Sequence, residues 1–224
     1  AEDQAFVWDP YVTPPRLTLR HNGTVNQSTW SNDGSRIVTA SDDGTARVWD
    51  AETGRALLTL GHGDWVGQAT WSADDLRVLT ASDDGTARIW DSDGTEVAVL
   101  KGHEGDVTIA RFAPDGSYVL TAAKDAARLW TPNGDMVALL TGPLDGIRHA
   151  EISNDGAHIV TAAGDGSAQL WDTSQAHGRP SVTTLTPLRL SKALTPAAAV
   201  SFSADGRHVA VARNGDIRLH PVRT

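Results

Sequence analysis

Cysteine is missing altogether from the 224 residues. Its absence excludes a disulfide framework and any thiolate metal site, and it fits a reducing compartment, so the cytoplasm is the expected location. No apolar run approaches the ~18 residues that a spanning helix needs, so a membrane-spanning helix is not expected. Basic residues are scarce: 19 Lys and Arg against 28 Asp and Glu leave a formal net charge of −9. Nucleic acids and anionic membranes demand a basic surface that displaces counterions, so neither is an expected partner. Absent too are a Gly-x-Gly-x-x-Gly or Gly-Lys-Ser/Thr phosphate loop, an Asp-x-Asp-x-Asp-Gly cation loop with a later Glu, and metal-type histidine spacing. No cofactor and no metal is expected. The opening Ala1-Glu2-Asp3-Gln4 carries neither Met nor a basic-then-apolar leader, and reads as a processed terminus or an excised piece.

What the chain does contain is one stretch written almost twice. Ser41-Asp42-Asp43-Gly44-Thr45-Ala46-Arg47-Val48-Trp49-Asp50 returns 41 residues later as Ser82-Asp83-Asp84-Gly85-Thr86-Ala87-Arg88-Ile89-Trp90-Asp91. Trp8, Trp49, Trp90, Trp130 and Trp171 hold the same place in successive copies. Each copy reads as a tight turn, where Asp-Gly supplies a positive φ, followed by a strand of alternating side chains.

Around this stretch the sequence predicts units of four short antiparallel strands. They run over about 25–60, 65–100, 106–140 and 146–190, with a last unit over 197–220 that lacks a fourth strand. The segment 5–9 reads as a surplus third strand and 16–19 as an outer strand kept clear of Pro14 and Pro15. Two arrangements are open. Residues 16–19 could pair outside 217–220 and close a five-unit ring, which would remove two exposed edges. Alternatively, Phe6 to Leu19 finishes a unit that begins upstream in a longer array. A monomer, or a homodimer through open strand edges, is expected. The stretch from Thr173 to Lys192 is longer than its counterparts and carries Arg179, Arg189 and Lys192 with no acid; it reads as an irregular connector or a second contact.

Period, turn positions, Trp-Asp, and the Gly61-His62 and Gly102-His103 pairs recur together, and in this the chain resembles the WD-repeat β-propellers. The resemblance implies an all-β propeller of about five four-stranded antiparallel blades, possibly part of a longer array. It also implies a buried polar network in each blade: His21, Thr39, Asp43 and Trp49; His62, Thr80, Asp84 and Trp90; His103, Thr121, Asp125 and Trp130; and, without a histidine, Thr161, Asp165 and Trp171. Indole N–H, hydroxyl and imidazole buried together must satisfy one another, with the carboxylate orienting the ring. The third copy has a turn one residue shorter, and Thr131 follows Trp130. The last has Val211 and His220 at the Thr and Trp places, so no network is expected there.

Ser or Thr, His and Asp recur together from blade to blade, but a catalytic set has no reason to recur at successive repeats, so these groups read as bracing and no enzyme is expected. Trp65 stands at the mouth of a first strand where other copies carry Thr24, Asp106 and Gly146. With Asn22, Asp64, Glu104, Asp106, Asp145 and Arg148 it would form a mostly acidic partner face, suited to basic and apolar groups. The resemblance extends to bacterial WD-repeat proteins whose arrays often follow signalling domains. It implies a non-catalytic scaffold or sensing arm with a protein partner. The alternative is a small-ligand or enzymatic propeller using its central channel, where Gln27, Gln68, Ile109, His149 and Ala199 fall at matching places.

Overall fold

The computed structural model describes residues 3–141, 146–173, 183–184, 188–191, 197–213 and 216–222. They form strands joined by tight turns, in two compact units: 1–102 with 106–110, and 103–105 with 111–224.

The first unit contains two complete four-stranded sheets. One has the order β3 (Val25–Trp30), β4 (Arg36–Ser41), β5 (Thr45–Asp50), β6 (Ala56–Gly61). The other has β7 (Val66–Trp71), β8 (Arg77–Ser82), β9 (Ala87–Asp91), β10 (Glu96–Leu100). All neighbours are antiparallel, and the registers of the first three strands coincide after a shift of one repeat: Trp49 faces Ile37 as Trp90 faces Val78, while the outer pair is one residue out, with Ala46 facing Leu60 and Ala87 facing Leu100. Gly44 and Gly85 take φ of 78° and 80° at the turns, a region that costs glycine nothing. Alternate strand residues then meet between the sheets in one core that includes Val38, Val48, Leu60, Val66, Ala69 and Trp90. Fully burying a side chain such as Leu60 contributes roughly 1.5 to 3 kcal/mol.

Ahead of these sheets, β1 (Gln4–Val7) pairs antiparallel with β2 (Leu17–Arg20). The pairing Val7↔Leu17, Phe6↔Thr18 and Ala5↔Leu19 is the β5–β6 pairing displaced by 41 residues. Of the two arrangements open for 16–19, the described residues pair it with Gln4–Val7 and not outside 217–220, so 5–9 contributes its partner rather than a surplus strand. A short local connection and a register already written into the repeat favour this pairing. Leu19, Ile37, Trp49 and Ala51 form the core beneath it, with Ala5, Val7 and Leu17 against them.

In the second unit, β12 (Val119–Ala123), β13 (Ala127–Trp130) and β14 (Met136–Leu140) are antiparallel neighbours, and β11 (Val107–Phe112) begins in the first unit. The next sheet orders β15 (Ile147–Ile152), β16 (His158–Ala163), β17 (Ala168–Asp172) and β19 (Leu188–Ser191). Its outer strand therefore falls inside the basic stretch 173–192, most of which lies outside the described residues. Within the same stretch β18 (Thr183–Thr184) pairs parallel with β14, which the repeat pattern did not predict. Among the described residues β20 (Ala197–Phe202), β21 (His208–Arg213) and β22 (Asp216–Pro221) make a three-stranded sheet. Val160, Leu170, Val200, Val209 and Val211 share the core between these last two sheets.

Candidate interaction face and the braces beneath it

The braces are built where three strands converge. In the first complete sheet the indole N–H of Trp49 on β5 donates to Thr39 Oγ1 on β4 at 2.8 Å, and that hydroxyl lies 2.6 Å from His21 Nε2. His21 Nδ1 is 3.0 Å from Asp43 Oδ2. One consistent chain of donors follows: indole N–H to hydroxyl oxygen, hydroxyl to Nε2, Nδ1–H to carboxylate. The second sheet repeats it through Trp90, Thr80, His62 and Asp84 at 2.9, 2.7 and 3.0 Å. Despite its shorter turn, the third set closes too: Trp130 to Thr121 at 2.7 Å, Thr121 to His103 at 2.7 Å and His103 to Asp125 at 2.9 Å. The fourth keeps Trp171 to Thr161 at 2.9 Å, while Asp165 accepts the amide of Ser167 within its own turn. At the last sheet Val211 is buried in the apolar core.

Burial pushes the imidazoles of His21, His62 and His103 below the ordinary histidine range, against the raising pull of Asp43, Asp84 and Asp125. For Asp43 burial acts upward, but donors outweigh it: the Asn22 amide, Thr45 and His21 hold the carboxyl at about 2. Asp84 and Asp125 are lowered for the same kind of reason. The histidines are thus neutral and the aspartates charged, which suits bracing.

Above the brace of the second sheet lies Trp65. Its carbonyl accepts the amide of Asp83 at 2.9 Å, just as Thr24 accepts Asp42 and Gly146 accepts Gly164. Asp64 fixes the loop from the other side: its carbonyl takes the hydroxyl of Ser82 at 3.2 Å and its side chain takes the Trp65 amide at 2.8 Å. The backbone is held, yet the Trp65 side chain is 55% exposed. Beside it Asp83 is raised above the usual carboxylate range, by burial first and then by the negative charges of Asp106, Asp64, Asp42 and Asp84. Asn22 and Asp106 are exposed in the same unit. Glu104 and Arg148 are exposed residues of the other unit, and Asp145 lies outside the described residues.

Sequence reasoning missed Asp42 and Asp83 as members of this acidic group, although their place at the head of each turn could have been read from the repeat. It also missed how the inner strands are used. A bulge separates Val25 from Gln27 and Val66 from Gln68, and it aims each glutamine at the following first strand. Gln27 Oε1 accepts the amide of Ala69, and Gln68 Oε1 that of Ala110, both at 3.0 Å. Two positions weighed for a channel ligand are therefore clamps. Among the described residues no group of three or more His, Cys, Asp or Glu could hold a metal ion, and no helix is long and apolar enough to cross a membrane.

The family profile described as WD domain, G-beta repeat matches residues 14–50, 54–91, 94–131 and 134–172. A search of curated proteins gives no match. Each matched segment from the second onward opens on an outer strand and ends at the third strand of the next sheet, so the family's unit straddles two sheets in the way the clamps do. Since the matches cover well over half of the chain, it belongs to the WD domain, G-beta repeat family.

Proposed function

We propose that the chain is a non-catalytic recognition module, a scaffold or the sensing arm of a larger signalling protein, that takes a protein partner bearing basic and apolar groups. WD repeats generally mediate protein–protein interaction, which supports the class of function. The observation that carries the finer reading is Trp65: a half-exposed indole on a loop whose backbone is bonded on both sides, set beside the Asp42, Asp64, Asp83 and Asp106 carboxylates. A large rigid side chain that is already positioned loses little entropy on binding, and such residues dominate interface energetics. The crowded carboxylates make a local negative field that basic groups on a partner relieve.

An array of lysine- and arginine-rich peptides, with and without aromatic residues, tests this. The chain should retain a subset carrying both kinds of group, with affinity falling as salt rises. Trp65→Ala combined with Asp106→Lys should abolish that retention. Equal retention by both proteins would sink the reading, and a saturable thermal shift with a nucleotide, sugar or metal would point to the small-ligand alternative.

A further inference from the structure

A second surface of the first unit is uncovered, and the unit itself contains the pattern of what covers it. Trp49, Trp90, Trp130 and Trp171 are 6%, 7%, 3% and 0% exposed, whereas Trp8 at the matching place is 55% exposed. Among the described residues, β1 has β2 as its strand partner, so its other edge has no counterpart to the strand that β5 finds in β4. The same holds one layer in. Trp30 is 53% exposed while Trp71, one repeat later, is 8% exposed; Ser28 is exposed while Ala69 is buried. The difference is the preceding sheet. Arg36 of β4 lies 4.5 Å over the Trp71 ring, and Gln27 and Thr29 of β3 bond the amide and carbonyl of Ala69, each at 3.0 Å. Among the described residues of the first unit nothing of that kind stands before Trp30. Instead a cleft of about 760 Å³ opens there, lined by Trp8, Tyr11, Trp30, Arg16 and Asp50 among others.

We propose that the free edge of β1 and the exposed Ser28–Trp30 side of β3 form one docking site for a β-hairpin of the chain's own repeat type. Its second strand adds antiparallel to β1, placing a threonine hydroxyl under the Trp8 indole N–H and an arginine over Trp30. Its first strand lies against β3, with glutamine and threonine reaching the Ser28 backbone. Edge addition satisfies backbone groups, and the threonine and arginine positions give register. This site is separate from the Trp65 face and does not depend on it.

The test prepends a second copy of residues 24–41 directly before Ala1 of the full chain, which restores the 41-residue spacing to Gln4. The tether supplies a high effective concentration, so a hairpin that fits must dock. Amide exchange of Gln4–Val7 should slow by about tenfold or more, and the melting temperature should rise. A matched copy carrying Arg36→Ala and Thr39→Val in the added segment should protect less. Unprotected Gln4–Val7 amides in the extended chain would overturn the proposal. So would protection of those amides in the unextended chain that grows with protein concentration, since a second copy would then be the occupant.

Discussion

Thr80 Oγ1 lies 2.9 Å from the Trp90 indole nitrogen and 2.7 Å from His62 Nε2, at a site where Thr80 is fully buried. One hydroxyl serves two rings, as acceptor to one and donor to the other. Thr80→Val keeps the shape and removes both bonds, leaving two buried polar groups without a partner. Each such group costs about 1 to 3 kcal/mol, so the variant should lose roughly 2 to 6 kcal/mol. Thr161→Val, which strands the Trp171 indole alone, should lose less. Urea unfolding of the two variants side by side checks the order.

The same braces make stability depend on pH. In the unfolded chain imidazoles take up protons near pH 6.5, but burial holds His21, His62 and His103 lower in the fold. Below the unfolded value the unfolded state therefore binds more protons, and stability falls as pH falls. Asp43, lowered to about 2, adds a second loss that starts near the ordinary carboxylate range and runs down to its folded value. The melting temperature should be flat above about pH 7 and drop in two stages toward acid. His62→Asn should be less stable at pH 7 yet lose less between pH 7 and pH 5; an unchanged slope in that variant would exclude the brace as the source.

The recurring sets were readable in the sequence because a repeat states directly which residues share a place. Even the third set, with its shorter turn, closes because the turn takes up the deletion: the Ala123 amide bonds the Ala126 carbonyl, and Arg128 meets Asp125 at 2.7 Å from three residues away rather than four. What the repeat does not state is which neighbouring copies touch. Gln27 on Ala69, Asn32 on Asp75 and Arg36 on Trp71 join residues 35 to 43 apart across two sheets, and no local pattern marks them. For the same reason the partner of 16–19 was open between β22 and β1; only register and exposure distinguish them.

Asp83 gives a prediction of opposite sign to the braces. Its carboxyl is raised by burial and by four neighbouring carboxylates, so keeping it charged costs stability, and that cost sets in as pH rises through its folded value. Asp83→Asn should raise the melting temperature at pH 7 and make no difference near pH 3, where the wild-type group is already protonated. Added salt should shrink the gain, because it screens the same repulsion. A loss of stability at pH 7 would show that the charge is used within the fold.

Asp75 shows how two sheets are locked. It is 8% exposed and sits at φ 58°, where the corresponding turns carry Gly34, Gly116, Gly156 and Gly206 at φ of 69° to 72°. An aspartate in that region bears a backbone cost that glycine would not. The return is its side chain, which accepts the Asn32 amide at 2.8 Å, the Asn32 side chain at 2.9 Å and the Asp33 amide at 2.9 Å, while its carbonyl takes Arg36 at 2.8 Å. Asp75→Gly removes the backbone cost and the side-chain bonds together; Asp75→Ala removes only the bonds. Both should destabilise, because buried hydrogen bonds to a charged group contribute about 1.5 to 3 kcal/mol each. Asp75→Ala should be the worse by roughly 1 kcal/mol, the cost of the left-handed region. If Asp75→Gly instead matches or exceeds the wild type in urea, the clamp is worth no more than the backbone cost, and sheet-to-sheet attachment rests on Arg36 over Trp71 and the Gln27 bond.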